Sequence, residues 1–213
     1  YENGTVHAVW ECDDILYSRR DTHGWSEPVI ISDIGIYDEY YLIYTNTQYG
    51  HLKEICPLSG AENTAWAVGE GGITRTDDSW DHYETQYVNN SSTINGISII
   101  DSLHAFCVGD SGRFWHTSNG GHHVPLVGDG WFEDSTGFSV HLNDCWFFDT
   151  LSGYAVGDSG ILLLTTDGGA NWASVTLPIG ADLKKIEFPV PDTGYIAADS
   201  GQVLITFNGG TDW

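Results

Sequence analysis

Basic side chains are scarce in this 213-residue chain: seven Lys and Arg stand against 30 Asp and Glu, for a formal charge of −23. Phosphate recognition runs on Lys and Arg, so Arg19, Arg20, Arg75, Arg113, Lys53, Lys184 and Lys185 are too few to suggest a nucleic-acid partner. No apolar run approaches the ~20 residues a membrane-spanning helix needs, and no membrane insertion is expected. A signal peptide is missing, and the chain opens at Tyr1 rather than Met, which leads us to expect a mature or excised product. Helical 3.6-residue periodicity is absent. So are a Ser-His-Asp elbow, a phosphate-binding Gly loop and a paired-Cys metal motif. The four cysteines, at 12, 56, 107 and 145, are spaced unlike a zinc site and allow three pairings. Buried thiols are the first reading and one cross-blade disulfide the second.

What is abundant is aromatic: 9 Trp, 11 Tyr and 8 Phe supply far more buriable surface than a disordered acidic chain carries. The acid excess leans to Asp (20) over Glu (10). Such a surface stays soluble in salt, where self-repulsion is screened within about 10 Å. No cofactor is expected, and among cations only Ca2+ at clustered carboxylates calls for weighing.

An internal repeat decides the fold. Ala65-Trp66-Ala67-Val68-Gly69-Glu70-Gly71-Gly72 aligns with Ala105 to Gly112, Gly153 to Gly160 and Gly194 to Gly201, the last three ending in Asp-Ser-Gly. Equivalent positions 69, 109, 157 and 198 are 40, 48 and 41 residues apart, the period of a propeller blade. Each unit reads as short strands broken by tight turns, with glycine supplying the positive φ that the corners require. Leu142, Ile94 and Leu183 lie 15 residues before the corner position, and Cys145, Ile97 and Ile186 follow three residues on. These apolar columns, with the aromatic column Trp66, Phe106, Tyr154 and Tyr195, predict stacked sheets that share a core.

We therefore expect an all-β fold, a β-propeller of four-stranded antiparallel blades with at least five blade-like units, near 1–33, 52–90, 93–128, 141–178 and 181–213. Residues 34–51 read as an irregular stretch and 128–140 as an insertion. At this repeat length ~80 further residues would make a seven-bladed ring. The chain starts inside a blade and stops at Trp213, where an outer strand should begin. Closure then requires the N-terminal strand, a longer chain or a neighbouring subunit.

Thr165-Thr166-Asp167-Gly168-Gly169-Ala170-Asn171-Trp172 resembles the Asp box of bacterial neuraminidase repeats, Ser/Thr-x-Asp-x-Gly-x-x-Trp. Thr206 to Trp213 repeats it with Asn208 for Asp, around Gly210. Thr117-Ser118-Asn119-Gly120-Gly121 keeps the first half without the Trp, and eroded versions lie at Thr76–Trp80 and Ser18–Pro28. Joined to Gly-Tyr-Ala-Val-Gly-Asp-Ser-Gly, the pattern is similar to propellers related to the photosystem II assembly factor, a family also common in secreted bacterial proteins. The resemblance implies a structural box, so Thr165, Asp167, Gly169, Trp172, Thr206, Asn208, Gly210 and Trp213 are expected to serve folding. The Arg-rich partner surface of that family has no counterpart among four arginines. Sialidases share the box, and Arg19 or Arg20 with Arg75 and Arg113 would be the only candidates for their arginine triad. The Arg-Ile-Pro signature is missing, and enzymatic activity is not expected.

The 48-residue step points to an insertion around Gly128-Asp129-Gly130-Trp131-Phe132-Glu133-Asp134-Ser135-Thr136-Gly137-Phe138. Placed between an outer strand and the next inner one, it would join the corner acids Glu70, Asp110, Asp158 and Asp199 on a single face. Trp131, Phe132, Glu133, Asp134 and Phe138, with Asp110, Asp158 and Asp199, are the expected binding residues. His122 and His123 read as solvated turn residues. The expected function is a secreted or cell-surface, non-catalytic scaffold that binds a protein partner or itself. The alternative is a glycan-binding or glycoside-hydrolysing propeller.

Overall fold

The structure, a computed structural model, describes residues 6–11, 15–21, 24–25, 29–30, 51–61, 63–70, 72–78, 83–86, 93–124 and 128–213. Side chains are described from residue 51 onward, 123–129 excepted. The irregular stretch before His51, Cys12, and the side chains of His123 and of the eroded box at 18–28 lie outside the described residues.

The fold is all-β, built of antiparallel blades as the repeat predicts. An N-terminal sheet comprises β1 (Val6–Glu11), β2 (Ile15–Asp21), β3 (Gly24–Trp25) and β4 (Val29–Ile30), with β3 and β4 both paired to β2. Four successive sheets follow. They are β5 (Leu52–Pro57), β6 (Ala65–Gly69), β7 (Gly72–Thr76) and β8 (Glu84–Gln86); β9 (Ile94–Ile99), β10 (Ala105–Gly109), β11 (Arg113–Val124) and β12 (Gly128–Ser135); β13 (Leu142–Phe147), β14 (Gly153–Gly157), β15 (Leu162–Thr165) and β16 (Ala173–Val175); and β17 (Leu183–Val190), β18 (Thr193–Ala198) and β19 (Gln202–Thr206). Strands follow one another in chain order across each of these four sheets. The first strands β5, β9, β13 and β17 lie against one another, while the outer strands diverge, which is propeller geometry.

Three apolar clusters fill the spaces between these sheets. Trp66, Val68 and Ile73 meet Ile94, Ile97, Cys107, Trp115 and Trp131; Phe106, Val108 and Phe114 meet Leu142, Cys145, Phe147 and Leu163; Tyr154, Val156 and Leu162 meet Leu183, Ile186, Phe188, Ile196 and Leu204. Successive residues of a strand point to opposite faces, so β6, β10 and β14, each buried on both faces, are buried at every position. Cys107 and Cys145 are buried free thiols and Cys56 a half-buried one. Burial, then the neighbouring Glu54, pushes the Cys56 thiol up to about 12.

Each inner strand carries a bulge, at Lys53, Asn95, Asn143 and Lys184, where the register with the second strand skips one residue. The bulged side chain then reaches the corner. Asn95 Nδ2 donates to Asp110 Oδ1 (3.0 Å) and to the Leu142 carbonyl of the next sheet (2.9 Å). Asn143 repeats this with Asp158 (3.0 Å) and the Leu183 carbonyl (2.8 Å). Lys184 lies 3.4 Å from Asp199. The corner serines Ser111, Ser159 and Ser200 sit at φ near 60°, a left-handed conformation that the anchored acid before them and the glycine after them help to hold.

Candidate functional site

The four-residue turns after the third strands explain where the 48-residue step comes from. Thr165 Oγ1 donates to Asp167 Oδ1 (2.9 Å) and accepts from Gly169 N (2.9 Å); Asp167 in turn accepts from Asn171 N (2.8 Å). The bonds from Asn171 hold the Asp167 carboxyl below the usual carboxylate range. Thr206 with Asn208 and Gly210, and Thr117 with Asn119 and Gly121, make the same bonds, and Thr76 donates to Asp78 in the same way. Gly169 is obligatory, since its φ is +94° and an added Cβ would lie 2.2 Å from the Phe114 ring.

Trp172 and Trp213 each stand seven positions after their threonine and pack edge-on to Phe114 (5.3 Å between ring centres) and Phe188 (5.8 Å). Trp131 stands fourteen positions after Thr117 and packs in the equivalent cluster, against the preceding sheet. The seven extra residues therefore lengthen the β11–β12 hairpin between Gly121 and Trp131. Residues 128–135 are outer strand β12, not a loop between blades, so the expected insertion at 128–140 is corrected in place and in role. Trp131 is 7% exposed and donates from Nε1 to Gln86 Oε1 (2.8 Å). It is a core residue rather than a binding one.

Strand alternation separates the other expected site residues. Phe132 points the opposite way, is 52% exposed and stacks on His116 (5.5 Å), which stacks on Phe114 (5.8 Å). Glu133 pairs with Arg113. Asp134 lies 3.7 Å from His116, whose pKa burial lowers against the pull of Asp134. His122 at the hairpin pairs with Glu84 of the preceding sheet (3.2 Å). Phe138 lies three residues past the end of β12, half-buried against the second interblade cluster and beside Gly112. Asp110 and Asp158 are engaged by the bulge asparagines, Asp110 also by His141 (3.0 Å), and Lys184 gathers Asp158, Asp182 and Asp199. The eight residues thus divide into a rim patch (Phe132, Glu133, Asp134), a core residue (Trp131), a half-buried interblade residue (Phe138) and three corner acids (Asp110, Asp158, Asp199) that brace the blades.

Sequence reasoning passed over His116, which completes the rim patch with Arg113, a residue weighed only for an arginine triad, and the inner-strand residues Glu54, Asp144 and Lys185. The latter share one register position with Gly96, opposite Val68, Val156, Ala197 and Val108; comparing that column would have revealed charge among apolar neighbours. Arg75, a candidate for an arginine triad, is 6% exposed, lies 4.3 Å over the Trp66 ring and donates to the Gly120 and Ser102 carbonyls (2.8 and 2.9 Å). It joins two blades. Among the described residues no three His, Cys, Asp or Glu side chains gather where a metal could be held.

The comparisons agree with this geometry. Three solved structures align over almost the whole chain. YCF48 from Cyanidioschyzon merolae is 18% identical over 96% of this chain and 67% of its own, with a TM-score of 0.67. A YCF48 bound to D1 peptide is 15% identical over 97% of this chain and 62% of its own (TM-score 0.61). An ancestral GH74 enzyme is 13% identical over 95% of this chain and 28% of its own (TM-score 0.59). At these identities they show the fold alone, and this chain spans less than two thirds of the latter two. No curated protein sequence matches. The model of the family described as photosynthesis system II assembly factor YCF48 matches residues 73–178 and 125–213. Covering the corners, the threonine-anchored turns and the tryptophans just described, these matches span well over half of the sequence, and the chain belongs to the photosynthesis system II assembly factor YCF48 family.

Proposed function

We propose that this protein is a non-catalytic docking module that binds a polypeptide segment on the outer rim of the β9–β12 sheet. The carrying observation is Phe132: an exposed aromatic ring, backed by His116 and Phe114 in a stack that runs into the core, and flanked by the Arg113–Glu133 pair and Asp134. A rigidly supported aromatic beside charges of both signs is the chemistry of an interface hot spot. That a related YCF48 carries a bound D1 peptide supports a peptide as the class of ligand. A secreted or cell-surface setting belongs to the same proposal, on the strength of the acid-rich composition. Peptides selected by display on the wild-type protein should lose about 30-fold in affinity for Phe132→Ala, an effect of hot-spot size, with the melting temperature unchanged. Equal binding to both proteins would overturn the assignment, and a signal on a glycan array or polysaccharide hydrolysis screen would favour the sugar-directed alternative.

Self-association is favoured by a separate observation. Tyr195 is 41% exposed, whereas its equivalents Trp66, Phe106 and Tyr154 are 0%, 4% and 5% exposed beneath the next sheet. Val203, Ile205 and Phe207 are also exposed on this last sheet, and an apolar patch of this kind marks an interaction surface. Light scattering after size exclusion should show a concentration-dependent dimer of the 213-residue chain that Val203→Asp with Phe207→Asp abolishes. A strict monomer at all concentrations would exclude it.

A further inference from the structure

The inner-strand position shared by Glu54, Gly96, Asp144 and Lys185 forms a polar site where the first strands converge. Asp144 Oδ2 accepts from the backbone N–H of Ile186 in the next sheet (2.8 Å), and Glu54 Oε2 accepts from the N–H of Ile97 (2.8 Å). Each carboxylate thus crosses to the neighbouring inner strand beside its bulge. Lys185 Nζ closes the arrangement, 3.2 Å from Asp144 Oδ1 and paired with Glu54, so that β17 is joined to β13 and to β5. Gly96 makes the room: a Cβ there would lie 2.6 Å from the Asp144 Cα. Two carboxylates therefore face one ammonium, an excess of one negative charge, with the Asp144 side chain only 2% exposed.

An uncompensated charge in such a place is costly, and the least expensive relief is to take up a proton. Among the described residues the surroundings offer no other. The charged groups facing Asp144 are Glu54 from β5 and Lys185 from β17; β9 contributes Gly96, and the thiols of Cys56, Cys107 and Cys145 are held protonated by burial. We propose that the Asp144 carboxyl, facing Glu54 and Lys185, holds a proton in the folded protein, forming a proton-operated latch among the inner strands of the propeller. Below neutrality the site is neutral overall, with one carboxylic acid, one carboxylate and one ammonium. As the pH rises the Asp144 proton leaves to solvent, and repulsion between the two carboxylates loosens β5 from β13 and β17. In agreement, burial first and Glu54 second push the Asp144 carboxyl up to about 7. Burial opposes the Lys185 ammonium, yet Asp144 and Glu54 raise it overall, so it stays charged throughout.

The sign follows from linkage. The Asp144 carboxyl has an ordinary value of 3.8 and stands near 7 when folded, so this group's contribution to stability is complete below about pH 4, falls as the pH rises to about 7, and is flat beyond. The full chain, labelled with 13C at Asp side-chain carboxyls, decides the matter by NMR titration. We expect the Asp144 signal to titrate with a midpoint within about one unit of 7. Removing the opposing charge in Glu54→Gln should lower that midpoint, and Lys185→Met should raise it. The protection factor of the Ile186 amide, which donates to Asp144, should drop about tenfold as Asp144 deprotonates and the inner strands loosen. An Asp144 midpoint below pH 5 in the wild-type protein overturns the proposal, even if neither variant folds. A midpoint that Glu54→Gln leaves in place overturns it too, because burial alone would then set the value.

Discussion

Trp131→Ala should destabilise the protein by about 3–5 kcal/mol, the range for removing a buried aromatic from a packed core, while Phe132→Ala, one residue on, should change stability by no more than about 0.5 kcal/mol. The difference follows from the alternation of β12. Trp131 fills the space between the β5–β8 and β9–β12 sheets beside Trp66, Ile97 and Trp115, and its loss also leaves Gln86 Oε1 without the indole donor. Phe132 faces the rim and has solvent on one side. Urea denaturation of the two variants checks this directly. Equal, small losses would mean that Trp131 does not occupy the interblade tryptophan position. The outcome bears on function as well, since any loss of binding by a Trp131 variant would report unfolding rather than a lost contact.

Arg75→Met should cost about 3–5 kcal/mol, because two carbonyls of the next sheet lose a charged donor, at about 1.5–3 kcal/mol each. The guanidinium is held flat against Trp66, makes two bonds to Asp77 Oδ1 (3.1 and 2.8 Å), and crosses to the Ser102 and Gly120 carbonyls of the following sheet. Methionine fills part of the volume and supplies none of these donors. Arg75→Lys keeps the charge but loses the planar fork, so it should recover less than half of the loss. A penalty below about 1 kcal/mol for Arg75→Met would show that the packing on Trp66, not the hydrogen bonds, joins the blades.

Much of the architecture was legible because each blade repeats its punctuation. Corners of Gly-Asp-Ser-Gly type, threonine-anchored turns and the columns of Leu142 and Cys145 recur at blade spacing, and each proved to be the corner, turn or buried column expected. The site was legible only in part. The length of the 48-residue step was plain, but its location was not: a count of residues between repeats does not say which hairpin has grown. The half-box at Thr117–Gly121, with its tryptophan displaced to 131, held the answer. The corner acids read as a ligand surface because their partners, Asn95 and Asn143, come from bulges that no local pattern announces.

The sequence by itself determined that the chain is all-β, that its unit is a blade, where its turns fall and which family it resembles, because each of these is written in local spacing and in the backbone needs of glycine. Only the tertiary structure decided that Trp131 is core and Phe132 surface, that Arg75 joins blades, that Glu54, Asp144 and Lys185 meet, and that one face of the last sheet is open to solvent. Alternation along a strand says that neighbours point opposite ways and leaves open which way is inward. That is settled by register against the next strand and by the sheet packed on either side, which bring together residues as far apart in the chain as Glu54 and Lys185.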